Sequence, residues 1–407
     1  MGRRRSKWKD KANGADRGVQ LLQLARSGAC EELDALLASE WPELATQTPA
    51  EDTSARMDAI KERTDFLQLT QDHNGSTALH LAASEGHCAM VQKLLALGAG
   101  EIHLSGGRKR YARTPLHEAA ITGRLEACRL LVDYGFLVDC HTTRGRTPLM
   151  YATKGNHLDV VTYLVDECHA SINEQNEMGM TPLYVACQDG HEDIARFLIS
   201  RGADLDRSNR TKHAPIHEAV AGGFLSIVSL LLDSGAEKHV VDAMGVTIWH
   251  EAAGNGSVDM LELLVKYDVS LQPHGHIQVD KVMARHPFHY AAVEGKPAFI
   301  QAMLAKNLVD VNFVDADNCS AIYYAAANGH ADVLKVLLAN GGDPNLSSIR
   351  RSPLHCAVEW RRIACIQLLL AHGASRDARD KEARTPQEIA QARGDSDVLA
   401  CFNGAAH

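Results

Sequence analysis

Apolar residues recur along this chain in one fixed order. A polar residue, usually followed by proline, precedes an apolar residue; a small pair such as Ala119-Ala120, Ala252-Ala253 or Ala325-Ala326 then follows on the same helical face. Nine residues after the opening polar residue comes a glycine, at Gly86, Gly123, Gly190, Gly223, Gly256, Gly295, Gly329 and Gly394. A second apolar stretch succeeds it, as in Val160-Val161-Thr162-Tyr163-Leu164-Val165, and then a Gly-Ala turn such as Gly202-Ala203 or Gly235-Ala236. The pattern predicts a short helix, a left-handed stop, a second helix and a polar loop.

This order returns ten times. The opening residues are Thr77, Thr114, Thr147, Thr181, Ala214, Thr247, His286, Ser320, Ser352 and Thr385, at spacings of 37, 33, 34, 33, 33, 39, 34, 32 and 33 residues. Threonine suits a helix N-cap, because its hydroxyl accepts a backbone N–H of the first turn. Proline suits the next position, where its missing donor costs nothing. Asn156 replaces the glycine in the third unit and is the next-best residue for a left-handed conformation. Arg361 replaces it in the ninth, a departure that strains or remodels that corner.

The phrase Thr114-Pro-Leu-His117 followed by Ala119-Ala120, the turn glycine, the Val-x-x-Leu-Leu helix and the Gly-Ala turn resemble the ankyrin repeat family over residues 72–402. The resemblance implies an all-α fold, an ankyrin-repeat solenoid of stacked helix-turn-helix units with projecting hairpin-like fingers. A single unit cannot bury its apolar face, so the stack makes the core. The resemblance also implies that His80, His117, His217, His250, His289 and His355 hydrogen-bond neighbouring loops.

The expected organisation has four parts. Residues 1–17 are expected to form a basic, disordered tail, 18–40 an N-terminal capping helix pair, 41–71 a polar insertion with a short helix around Ala55–Glu62, and 72–407 the repeat array with a polar end cap. The full chain carries 42 basic and 51 acidic residues, a net charge of −9. The tail holds seven basic residues against two acidic ones, a charge of +5, which leaves −14 on the body. An acidic body repels a phosphate backbone, so no nucleic acid is expected to bind through the repeats.

No apolar run is long enough for a membrane-spanning helix, and no h-region follows the basic start, so neither an integral membrane protein nor a secretory signal is expected. The Asn-x-Ser matches at Asn74, Asn255, Asn318 and Asn345 therefore carry no glycosylation expectation. Ten cysteines without a Cys-x-x-Cys pair point to reduced, buried thiols.

Little of the chain is left for catalysis. The pairs His117-Glu118, His217-Glu218 and His250-Glu251 begin like a zinc-protease helix, but the second histidine is missing: Ile121, Ala221 and Gly254 stand there. No nucleophile elbow, phosphate loop or dinucleotide fingerprint occurs. His274, His276 and His286 cluster without an acidic or cysteine ligand at metal spacing. The expectation is no enzyme, no cofactor and no metal.

What remains is binding. By the resemblance, the protein is a scaffold or adaptor that holds a protein partner in a concave groove and on finger loops, working as a monomer in the cytoplasm and also in the nucleus. A ubiquitin-ligase box, carried by one subgroup of the family, is not expected after Cys401. The alternative is a membrane- or nucleus-targeted regulator acting through its tail. Met1-Gly2 followed by arginines and Ser6 fits acylation of Gly2, with Arg3 counting against it.

Three groups of residues are candidate sites. Tyr290 with Glu294, Tyr324 with Asn328, and Trp360 with Arg361 are expected to form an aromatic strip along adjacent first helices. Arg108, Lys109 and Arg110, together with the basic fingers at Arg144, Arg146, Arg207, Arg210, Lys212, Arg350 and Arg351, are expected to form a positive stripe for an acidic or phosphorylated segment. Asn312 ends a Leu304…Asp310-Val311-Asn312 pattern that resembles the preferred target of the ankyrin-directed asparaginyl hydroxylase, and Asn345 is a weaker match; the competing reading is that Asp-Val-Asn is the family's turn chemistry, its asparagine side chain bonding local backbone.

Overall fold

The computed structural model describes residues 14–45, 53–100, 113–271 and 285–403. These are helical throughout, with isolated antiparallel bridges at Val241–Thr247 and Val314–Ser320 in two of the fingers. They divide into two compact units, one ending at Arg210 and the other starting at Thr211. Repeats 1–4, opening at Thr77, Thr114, Thr147 and Thr181, belong to the first; repeats 5–10 belong to the second.

Within each unit, first helices pack on first helices and second helices on second helices. In repeat 2 these are Pro115–Ile121 and Leu125–Tyr134. The small pairs Ala119-Ala120, Ala252-Ala253 and Ala325-Ala326 are fully buried between neighbouring first helices, together with a leucine or isoleucine such as Leu116 or Ile322. The left-handed stops fall where the spacing predicts them: φ is +79° at Gly86 and +59° at Asn156.

Where the family histidine is present, it ties its repeat to the next. The Thr114 N–H donates to His117 Nδ1 (3.1 Å), and His117 Nε2 donates to the Arg146 carbonyl just before the next cap (3.0 Å). His80, His217, His250 and His355 repeat both contacts. One ring nitrogen accepts and the other donates, which is the neutral imidazole. Burial holds His117 and His217 at about 4, well below the ordinary 6.5. Repeat 7 departs from this scheme. Its cap is His286, whose Nδ1 accepts from the Phe288 N–H, and the buried His289 Nδ1 is left without a partner.

A second tie runs backward. His157 Nε2 reaches the Ile121 carbonyl of the preceding repeat (3.0 Å), and His330 reaches Val293 in the same way (2.7 Å). His87 makes this contact with the Arg26 carbonyl (2.9 Å) in the helix Gly14–Ser27. That helix packs on the first helix of repeat 1, and Cys30–Glu40 packs on the second. The helix begins at Gly14 rather than Gly18, so the segment read as tail to residue 17 ends in a helical turn. The insertion also holds more structure than expected, a helix from Thr53 to Leu69 in place of a short one at Ala55–Glu62. Its C-terminal half is pinned by Phe66 against Trp41 (5.5 Å between rings) and by Gln68 bonding the Gly98 carbonyl (2.6 Å).

Two of the spacings are 34 residues, and the extra residue is absorbed differently in each. In repeat 7 it lengthens the loop after Asn307. In repeat 3 the second helix takes it up as one π-turn, Tyr163–Glu167, and His169 adopts the left-handed φ of +57° that a glycine would otherwise take.

Candidate binding surface

On the face built from first helices and fingers, the residue before the cap meets the residue four after it in repeats 2 and 5. In repeat 2 these are Arg113 and Glu118, paired at 3.2 Å. The Arg113 guanidinium also lies 4.9 Å over the ring of Tyr151, the matching residue of repeat 3. In repeat 5 they are His213 and Glu218, 3.0 Å apart, and His213 Nε2 also reaches Glu251 of repeat 6 at 3.2 Å. Burial would lower the His213 pKa, but the hydrogen bonds and charges of Glu218 and Glu251 outweigh it and raise it to about 9. The ring is therefore a cation clamped between two carboxylates. Exposed Glu294 extends this acidic ground in repeat 7.

The expected aromatic strip does not form. Tyr290 and Tyr324 each stand four residues after their caps, but Trp360 stands eight after Ser352, one helical turn and about 6 Å further along the axis. The equivalent of the two tyrosines in repeat 9 is Cys356, which is buried. Tyr324 itself is buried: its hydroxyl donates to Asp315 (2.5 Å), its ring lies under the Arg285 guanidinium (4.7 Å), and His289 and Tyr323 flank it. A tyrosine with these partners is a structural residue. Tyr290 is half-buried, its ring against Gly254 and His250. Asn328 is exposed, with its amide bonded to the Tyr324 carbonyl (2.9 Å). Trp360 projects into solvent, 61% exposed.

Arg361 takes the left-handed φ of +54° that its place requires. Ion pairs to Asp395 (3.2 Å) and Asp397 (3.9 Å) hold it there, so the corner keeps the shape of the others.

Within each unit neighbouring fingertips are joined, but the basic ones make no unbroken stripe. Backbone bonds zip neighbouring tips: Glu177 N–H to the Arg144 carbonyl and Arg210 N–H to the Met178 carbonyl in the first unit. In the second, Ala243 bonds Thr211, Ile349 bonds Asp317, and Lys381 bonds Arg350. Glu177, Met178, Met244, Asp317 and Glu382 interrupt the row of cations. Arg108, Lys109 and Arg110 lie outside the described residues, as do His274 and His276. Positive charge gathers instead at the last two fingers, where Arg351 and Arg393 both pair with Glu359 and Arg384 pairs with Asp380 and Glu382. Burial would raise the Asp380 carboxyl, but the backbone and side-chain hydrogen bonds of Arg384 outweigh it and bring it down to about 2.

Asn312 is a finger strut. Its side-chain oxygen accepts from the Asp343 N–H (2.8 Å) and its amide donates to the Gly341 carbonyl (3.4 Å). Asn345 makes the same pair of contacts with Ser375 and Gly373. Among the described residues no group of histidine, cysteine and carboxylate side chains could hold a metal ion, and no helix is long and apolar enough to cross a membrane.

Sequence comparison adds the relatives. The family model described as ankyrin repeats (three copies) matches residues 21–141, 135–209, 216–311 and 288–380, and its first match begins within the helix Gly14–Ser27. The ankyrin repeat protein nuc-2 of Neurospora crassa is 31% identical over 297 residues, 70% of this chain but 27% of that protein. Human diacylglycerol kinase iota is 39% identical over 88 residues, 21% of this chain and 8% of the kinase. The mouse B-cell lymphoma 3 protein homolog is 31% identical over 144 residues, 35% of this chain and 32% of that protein. Among solved structures, the crystal structure of the human ASB11 ankyrin repeat domain aligns over 56% of this chain and 98% of its own, with a TM-score of 0.50 at 23% identity. The chain thus spans a third or less of each of the three curated relatives.

Proposed function

The chain belongs to the ankyrin repeat family, and on that footing we propose that it is a non-enzymatic scaffold or adaptor that binds a protein partner through its concave groove and finger loops. Ankyrin repeats are in general protein–protein interaction modules. The similarity to diacylglycerol kinase iota touches 8% of that protein and lends no kinase activity to this chain.

The observation that carries the reading is where large apolar side chains are left uncovered. Among the described residues of the repeats, those more than half exposed are Leu137, Met178, Met244, Ile349 and Trp360. All but Leu137 sit at fingertips or at the end of a first helix. Methionine and tryptophan are enriched in the cores of protein interfaces. The test is photo-crosslinking in cells, with a reactive residue at Met244 or Trp360 and, for comparison, at the exposed outer-helix Lys335. The expected result is one set of proteins captured from the first two positions and not from the third. Equal capture at all three, or none, overturns the reading.

Two narrower proposals accompany it. The +5 charge of residues 1–17 supports a targeting role for the tail, to the nucleus by basic-sequence import or to a membrane if Gly2 is acylated. A chain lacking residues 1–17 that keeps the distribution of the full protein refutes both. The pattern ending at Asn312 supports its hydroxylation, in a protein working in the cytoplasm and nucleus. Incubation with the hydroxylase, iron and 2-oxoglutarate should add one oxygen atom at Asn312, and an unmodified peptide rejects it.

A further inference from the structure

Between the fingers of repeats 9 and 10 and the first helices beneath them lies a cleft of about 330 Å³. Its floor is Ile389 and Ala392, and its walls are almost entirely charged. The cations are Arg350, Arg351, Lys381, Arg384 and Arg393; the carboxylates are those of Glu359, Asp380 and Glu382. Five positive charges against three negative leave an excess of two. The three carboxylates are consumed in orienting the arginines, as the ion pairs above show. The Arg350 guanidinium has no partner among the described residues, and Lys381 has only its neighbour Glu382 at 3.4 Å.

We propose that this cleft receives a phosphorylated serine or threonine side chain of the partner protein. The charge argument selects the phosphomonoester. At neutral pH it carries close to two negative charges and three acceptor oxygens, whereas a carboxylate carries one charge. A dianion neutralises the excess of two, and pre-oriented guanidinium forks match its oxygens. The flanks argue for a peptide over a free anion. Ile349, 74% exposed, precedes Arg350 at the fingertip, and Trp360, 61% exposed, follows Glu359 at the end of the first helix. A chain threaded from finger to helix end meets an apolar contact on each side of the charged cleft. A free phosphate meets neither.

The inference rests on the adaptor reading and narrows its partner. The test uses the full chain and an array of peptides, each present with phosphoserine, serine or glutamate at the centre. Binding is expected to favour the phosphoserine form over both others by about tenfold or more. The preference should weaken with added salt and at pH 5, where phosphate loses its second charge. It should disappear in Arg350→Glu/Lys381→Glu, two exposed substitutions that leave the thermal transition in place. Glutamate peptides binding as well as phosphoserine ones would overturn the proposal. So would a phosphopeptide preference that survives the double substitution, or binding to vesicles containing phosphoinositides without any to phosphopeptides. If the crosslinking experiment captures a partner while every phosphopeptide fails, the cleft proposal falls and the adaptor reading stands.

Discussion

The rings of His213 and His217 are stacked with their centroids 4.5 Å apart, yet the two titrate in opposite directions. His217 is held at about 4 by burial and by the charge of His213. His213 is raised to about 9 because the hydrogen bonds of Glu218 and Glu251 outweigh its burial. A cationic ring packs face to face on one that must stay neutral to tie its repeat to the next.

A pH profile follows from this pair and its relatives. His117 and His217 bind protons in the unfolded chain near 6.5 but refuse them in the folded chain until about 4, so the stability they contribute is lost as the pH falls through that window. His213 does the reverse: its contribution is complete below 6.5 and is lost as the pH climbs toward 9. At the favourable side of its window the buried His117 or His217 is worth roughly 3 kcal/mol, and the partly solvated His213 less. Thermal unfolding from pH 4 to 9.5 should show a maximum near neutrality. In His213→Gln the alkaline limb should flatten and the acid limb remain; an unchanged alkaline limb would contradict the assignment.

Repeat 7 offers a stabilising change. The buried His289 Nδ1 lacks the cap hydroxyl that lies 2.7–2.9 Å from the matching nitrogen in repeats 1, 2, 6 and 9. His286→Thr supplies that hydroxyl and should stabilise the second unit by about 1 kcal/mol. The gain is reduced by losing the His286 contact with the Phe313 ring (5.0 Å). Calorimetry of the full chain reads the sign. A lower transition temperature would show that the orphaned nitrogen costs little.

Tyr324 and Trp360 should separate cleanly. Tyr324→Ala removes a buried ring, the hydroxyl on Asp315 Oδ2 and the ring beneath Arg285, a loss of about 3–5 kcal/mol. Trp360→Ala removes an exposed side chain and should move stability by about 0.5 kcal/mol or less. Equal destabilisation by urea titration would mean that Trp360 is covered.

Arg361 tests what holds a left-handed corner without glycine. Arg361→Val puts a β-branched residue at φ +54° and should cost about 1–2 kcal/mol. Arg361→Gly relaxes the backbone but gives up the two ion pairs of an exposed guanidinium, and should cost less than about 1 kcal/mol. Equal losses in the two variants would assign the whole effect to Asp395 and Asp397.

The repeat frame was legible because each element of it is local. Cap, proline, small pair and stop lie within ten residues, and each has one physical meaning. The face of a given side chain was less so. Tyr324 looked available because its place in the helix matches Tyr290, but Asp315, nine residues earlier on the finger, reaches back to bind its hydroxyl. An aromatic strip needs Trp360 at the height of the tyrosines, but counting from Ser352 places it a turn beyond them. The charged cleft joins residues 350, 381 and 393, which are neighbours only once two fingers and a helix are folded together. A basic residue recurs just before the cap, at Arg113, Arg146, Arg285, Arg351 and Arg384, a place in the repeat that the pattern of caps and stops alone does not single out.

The π-turn at Tyr163–Glu167 shows how the array treats an error of length. Repeat 3 carries one residue more than its neighbours, yet His157 still reaches Ile121 and Asn173 still accepts from the Asp204 N–H at 2.8 Å. The surplus is spent between those two ties and none of it passes on. In a long coiled coil an added residue would put every later contact out of phase. Here phase is reset once per repeat, so insertions in an outer helix are quarantined where they arise, and such an array can vary in length locally while its binding face keeps its alignment.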